Sequence, residues 1–284
     1  MKIAKIFSKI LFFFVFLTVL AVPATLEAQT DFRRLSESEA AGVLAGFRAS
    51  RLAGDFCMKF NITHYLRKSD EAEYCTGTLF GTWTDSGPIL RLEIASAAAP
   101  ATKKKFILRG GKSPELWTLG DDGKPVRVDG NATEPFFENL IFTPFELQTP
   151  FVYWENAVYE QTKRYRGRPV HFFKMTPPAD FCAVHPEIGF VRIGFDRVYN
   201  ALIFAEIYGA DGRSKKSFSL SGVQKVQEQY TIRELELRDN ATRDKDEFSV
   251  YAAALGLTLP REAFEPDALA EPAPDVPAAR FSHL

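Results

Sequence analysis

From Phe56 onward the chain repeats one local signal: short runs of alternating apolar and polar residues, separated by turn residues. Phe56, Met58, Phe60 and Ile62 alternate with Cys57, Lys59, Asn61 and Thr63, the period of a strand with one buried face. Tyr74–Trp83, Ile89–Ile94, Phe106–Leu108, Glu115–Leu119 and Pro125–Val128 read as strands too. So do Val158–Tyr165, Pro169–Met175, Phe190–Phe195, Ala201–Tyr208, Lys215–Val223, Gln229–Leu237 and Glu247–Ala252. Asp121-Asp122-Gly123 and Asp211-Gly212 are hairpin turns, because Gly reaches the positive φ that such turns require. No helix recurs between the strands, which excludes the βαβ rhythm of a parallel sheet. The prediction is a mainly β chain with a few helices: one antiparallel sheet, strongly curved or closed into a barrel.

Two helical signals stand apart. Ser36–Ala53 carries Ala40, Val43, Leu44, Phe47 and Leu52 near helical spacing, behind a Ser cap and the acids Glu37 and Glu39. The segment from Pro135 to Trp154 breaks the strand rhythm with a run of aromatic residues. Within it Thr143 precedes Pro144, and Glu146 follows at capping-box spacing. That predicts a short helix over Thr143–Trp154, apolar nearly all round, and such a helix is buried or covers something apolar.

The ends differ from this body. Lys2, Lys5 and Lys9 precede an apolar run over Ile10–Val22, and Leu26-Glu27-Ala28 offers a small-residue exit. That order is a secretory leader, so residues 1–28 are expected to be cleaved and the mature chain to work outside the cytoplasm, in the periplasm of a bacterium. The half-barrel domain is then expected over 29–265. The Pro- and Ala-rich residues 266–284 are expected to be a disordered tail.

The chain's net charge of −1 gives no basic excess for a nucleic-acid groove. Twenty-six phenylalanines, five of them in the leader, point to a ring-rich core or to an apolar cavity. No nucleophile elbow, phosphate loop or His-Glu-x-x-His is present. Cys182-Ala-Val-His185 has metal-like spacing but no second pair. Asp239, Asp244, Asp246 and Glu247 lack calcium-loop spacing and read as a turn. No catalytic residue, metal or cofactor is expected. If Cys57 and Cys75 lie on a hairpin turning near residues 68–70, Cys57 faces residue 81 or so. Cys75 then lies about six residues along, roughly 20 Å away and far beyond bridging reach.

Several stretches resemble the LolA-like outer-membrane lipoprotein-sorting proteins: Phe142-Thr-Pro-Phe-Glu-Leu-Gln-Thr-Pro-Phe-Val-Tyr-Trp154, Arg166-Gly-Arg-Pro-Val170, Ala201-Leu-Ile-Phe-Ala-Glu-Ile-Tyr-Gly-Ala-Asp-Gly212 and Arg238-Asp-Asn-Ala-Thr-Arg-Asp-Lys245. The resemblance implies an incomplete antiparallel β-barrel whose mouth or concave face is covered by helices. It implies a monomeric carrier binding lipoprotein acyl chains or another lipid in an apolar cavity, with an inner-membrane release complex and an outer-membrane acceptor as partners. Phe142, Phe145, Leu147, Phe151 and Trp154 of the crossing segment, with Phe80 and Phe204 on strands, are the candidate cavity and lid residues. The arginine with which known carriers hold the lid has no counterpart in these motifs. A sensor or adaptor on the same half-barrel, binding a protein or lipoprotein partner, is the alternative, and a hydrolase a third.

Overall fold

The computed structural model describes residues 32–69, 72–128 and 132–284. The leader expected over 1–28 lies outside them. Helix α1 spans Glu37–Ala49. Six strands follow: β1 Asp55–Tyr65, β2 Ala72–Thr84, β3 Gly87–Ser96, β4 Lys103–Arg109, β5 Glu115–Leu119 and β6 Pro125–Arg127. A short helix α2 at Pro144–Gln148 and a 3-10 turn at Pro150–Tyr153 interrupt them. Then come β7 Asn156–Tyr165, β8 Arg168–Thr176, helix α3 Ala179–Val184, β9 Ile188–Asp196, β10 Leu202–Gly209, β11 Ser214–Val226, β12 Gln229–Asp239 and β13 Lys245–Leu257. The two-residue β14, Ser282–His283, ends the series.

All the pairings are antiparallel, in the order β6-β5-β4-β3-β2-β1-β13-β12-β11-β10-β9-β8-β7. Its end strands β6 and β7 do not pair, so the sheet is an open, incomplete barrel, as the strand pattern and the resemblance predict. Both turn signals form: Gly123 and Gly212 have φ of 75° and 73°, and each closes a hairpin. Two other glycines serve close approach. Gly77 pairs with Phe60 and Gly81 with Phe56, and a Cβ on either would lie 2.3 or 2.0 Å from a ring carbon.

Alternation along each strand separates two cores. Phe56, Met58, Phe60, Ile62, Cys75 and Leu79 belong to the large inner core, together with Leu44 of α1 and the rings of the mid-chain segment. Cys57, Phe80, Ala254, Leu257, Leu259 and Phe264 form a second core on the outer face. Cys57 therefore faces Phe80, while Cys75 faces Ile62, five residues further along β1. That places the two about 17 Å apart along the strand and on opposite faces, and both thiols are free.

The tail corrects an expectation. Composition predicts disorder over residues 266–284, yet the chain beyond β13 is strapped across the outer face. Phe264 and Leu269 are fully buried. Buried Arg91 donates to Ala263 O (3.3 Å) and Glu271 O (2.7 Å), and Lys105 donates to Leu269 O (3.0 Å). The prolines have no N–H to place in a ladder. The sheet supplies the donors instead, through side chains that reach the tail carbonyls.

Candidate functional site

The mid-chain segment 132–154 lies over the inner face of the sheet. Its local structure follows from its sequence. Thr143 N donates to Glu146 Oε2 (2.9 Å) and the Thr143 hydroxyl bonds the same oxygen, which is the capping box read from the sequence. The expected single helix over Thr143–Trp154 is broken, however. Thr149 sits in the left-handed region at φ 46°, because Pro150 disfavours the helical conformation before it. α2 and the 3-10 turn result, and their rings converge. Phe145, Phe151, Trp154 and Phe181 of α3 pack at centroid distances of 5.3–6.4 Å. Phe136 and Phe142 stack on one another at 6.2 Å, and Phe142 stacks on Phe248 of β13 at 5.8 Å.

Five of the seven candidate residues are thereby brought together: Phe142, Phe145, Phe151 and Trp154 are buried in the inner core, and Leu147 packs against it. Phe80 and Phe204 are not among them. Phe80 lies on the outer face beneath the tail. Phe204 meets Tyr165 at 5.1 Å and Phe172 at 5.8 Å, away from the segment. The rings of the segment pack on one another and on the inner face of the sheet. Two open hollows lie at the end of the sheet carrying the β1–β2 turn; one of about 390 Å³ is bounded by His64, Glu73, Leu140, Ile141, Lys216 and Asp244 among others.

The attachment of this cover is its most informative feature. Among the described residues no main-chain hydrogen bond joins 132–154 to the sheet; the main-chain bonds of the segment close within it, as Phe136 N to Phe142 O and Phe145 N to Ala132 O. Side chains hold it instead. Asp246 of β13 accepts from Ile141 N and Phe142 N, both at 2.7 Å. Its other oxygen accepts from His64 Nδ1 of β1 at 2.6 Å. Lys216 of β11 donates to Ile141 O (2.9 Å) and lies 3.4 Å from Glu146 Oε1. Lys104 of β4 donates to Phe136 O (2.8 Å). At the far end Arg48 of α1 donates to Val152 O (2.8 Å) and Trp154 O (3.0 Å).

Asp246 is fully buried, and burial pushes its carboxyl above the ordinary range against the lowering pull of His64 and the two amides. By local pattern Asp246 belongs to a turn, and no local motif marks His64, Lys104 or Lys216. A signal was present. His64 continues the inward series Phe60-Ile62, and Asp246 opens the inward series Phe248-Val250. A polar residue at an inward position of a strand needs a buried partner. Among the described residues no hydroxyl or thiol is hydrogen-bonded to His64, whose partner is Asp246. Cys182 donates to Pro177 O while His185 lies by Thr133 and Glu187, and no metal-ligating cluster occurs among the described residues.

No family model and no curated protein matches the sequence. Solved structures do match in fold. A domain assigned as an outer membrane lipoprotein-sorting protein, from Vibrio parahaemolyticus, superposes with a TM-score of 0.68 at 11% identity, covering 82% of this chain and 97% of that one. A DUF1329 family protein from Desulfovibrio piger gives 0.68 at 12% identity, over 82% and 98%. A LolA superfamily protein from Nitrosomonas europaea gives 0.62 at 12% identity, over 81% and 99%.

Proposed function

From the LolA-like fold that the chain adopts, we propose that it is an exported, periplasmic carrier whose inner face takes lipoprotein acyl chains or other lipids beneath the cover 132–154. The observation that carries this is the cover's attachment through side chains alone. A segment outside the hydrogen-bonded ladder can leave the inner face without breaking the sheet. Magnitudes support an exchange of rings for lipid. Burying a large apolar side chain stabilises by about 1.5–3 kcal/mol, and an acyl chain of some sixteen carbons by about 12 kcal/mol. One or two acyl chains therefore offset the displacement of several rings. No covalent chemistry is required. Transfer toward the outer membrane, with a release complex on one side and an acceptor on the other, completes the reading.

Mass spectrometry of lipids co-purifying with the mature protein, extracted without detergent, tests it. Acyl-bearing species in near-stoichiometric amount, displaced by a fluorescent fatty-acid probe, are expected. Protein free of such species that also fails to bind the probe overturns the proposal.

A further inference from the structure

At the α1 end of the sheet three connections form a continuous rim. The β7–β8 hairpin turns at Arg166 and Gly167, both with positive φ (47° and 82°). Arg197 N of the β9–β10 loop donates to Pro169 O of that hairpin at 3.0 Å. Tyr199 of the same loop meets Tyr230 at the β11–β12 hairpin, ring to ring at 5.8 Å. α1 joins this end through Asn200, whose Nδ2 donates to Val43 O (3.1 Å).

Within this rim the β7–β8 hairpin is one-sided in charge, whereas the β11–β12 hairpin carries the exposed pair Lys225–Glu228 (2.6 Å). Lys163, Arg164, Arg166 and Arg168 fall within six residues of the hairpin, with no acid among them. Only Arg168 has a carboxylate, that of Asp196, which also accepts from Val198 N and Tyr199 N. No ion pair holds Lys163, Arg164 or Arg166 among the described residues. All four cations instead lie over aromatic rings: Lys163 over Phe172 (4.6 Å), Arg164 over Phe32 (5.8 Å), Arg166 over Tyr165 (5.7 Å) and Arg168 over Tyr199 (5.0 Å). Beside them Val198, Tyr199 and Tyr230 are 55%, 61% and 58% exposed. The chain as a whole carries −1, so this concentration is local and not a consequence of a basic protein.

We propose that this rim docks on the headgroup region of an anionic phospholipid bilayer. Among the described residues Lys163 and Arg164 are paired with no protein carboxylate, and Arg166 is held only by neutral acceptors, Ser219 Oγ (3.2 Å) and Leu220 O (3.5 Å), so all three charges stay available to lipid phosphates; each Lys or Arg near an anionic surface adds to attraction that fades within a screening length. Tyrosines and a valine projecting beside them match the depth of the interface, where amphipathic rings settle. An acidic protein surface is the competing partner for the same charge, but it gives no reason for exposed Val198 and Tyr199 to flank the cations. The inference stands apart from acyl-chain carriage: a protein that docks without carrying lipid, or carries lipid without docking, separates the two.

The test is co-sedimentation of the full mature chain with vesicles of phosphatidylcholine alone and with added phosphatidylglycerol. Binding more than about tenfold tighter to the anionic vesicles is expected, lost in about 1 M salt, where the screening length is about 3 Å. The triple variant K163E/R164E/R166E should lose that preference by at least about tenfold, with an unchanged thermal melt. K68E/K124E at the opposite end is the matched control and should bind as wild type. Should the triple variant not fold, Tyr199→Ser, which leaves every hairpin cation in place, should weaken binding several-fold. Wild-type protein that ignores anionic vesicles, or a folded triple variant that binds them as wild type, overturns the proposal. Binding to an immobilised acidic protein without vesicle binding overturns it in favour of a protein partner.

Discussion

If the cover is held by side chains, removing the best of them should loosen it without unfolding the sheet. Asp246→Ala is the sharpest such change. It strips the acceptor from Ile141 N and Phe142 N, each now 2.7 Å from the carboxylate, and leaves His64 without its partner. Each buried amide deprived of an acceptor costs about 1–3 kcal/mol, so the two together cost about 2–6 kcal/mol. At about 1.4 kcal/mol per tenfold, their protection against hydrogen exchange should fall by roughly 30-fold to 10⁴-fold. Amides in the β1–β13 ladder, which do not touch Asp246's carboxylate, should keep their protection. Fatty-acid probe binding should strengthen, because the displacement of the cover then costs less. Asp246→Asn is the control: its Oδ1 can accept from both amides and its Nδ2 can donate to a neutral His64, so its effect should be near 1 kcal/mol. If Asp246→Ala lowers the protection of cover and sheet equally, and probe binding does not rise, the cover belongs to one cooperative core and the reasoning fails.

The same residue sets a pH dependence. Burial raises its carboxyl above 3.8, so between that value and the raised one the folded chain holds a proton that the unfolded chain has lost. Its contribution is full below 3.8 and is lost as pH rises through the raised value. Urea midpoints of wild type minus Asp246→Asn should therefore increase toward acid, and a difference that grows toward neutral pH contradicts the assignment. Arg91→Met removes the donors to Ala263 O and Glu271 O and should open residues 258–284 to limited proteolysis while the β1–β13 ladder resists; equal resistance of the tail in both proteins would count against the strap. Gly77→Ala places a Cβ 2.3 Å from Phe60 Cζ and should destabilise by about 1–3 kcal/mol, read from urea unfolding; a neutral result would mean that the ring moves freely. Burial lifts the Cys57 thiol to about 12 and the Cys75 thiol to about 11, so in native protein at pH 8 a disulfide reagent should modify half-buried Cys182 first, and all three only in denaturant. Prompt modification of Cys57 would contradict the outer core.

Much of the architecture is carried by local signals. Period-two alternation, the turns at Gly123 and Gly212, the capping box that Ser36 and Glu39 form at the start of α1 and the box at Thr143–Glu146 act within a few residues. The chain itself therefore states where strands run, where they reverse and where helices begin. Alternation does not say which face is concave, because a strand reads the same from either side. Phe80 and Phe204 share the aromatic character of Phe142 and Phe145, and only the pairing of Phe80 with Cys57 turns it outward, under the tail. The tail's order was hidden for a related reason. Prolines and alanines carry no periodic signal, and the donor that holds residues 263 and 271 is Arg91, more than 170 positions earlier in the chain. The cover's fastening is the plainest case. His64 and Asp246 are ordinary polar residues at strand ends until antiparallel pairing of β1 with β13 sets them opposite one another. The bond between them exists only because 182 residues of chain fold back to make it, and no local pattern encodes so distant a partner.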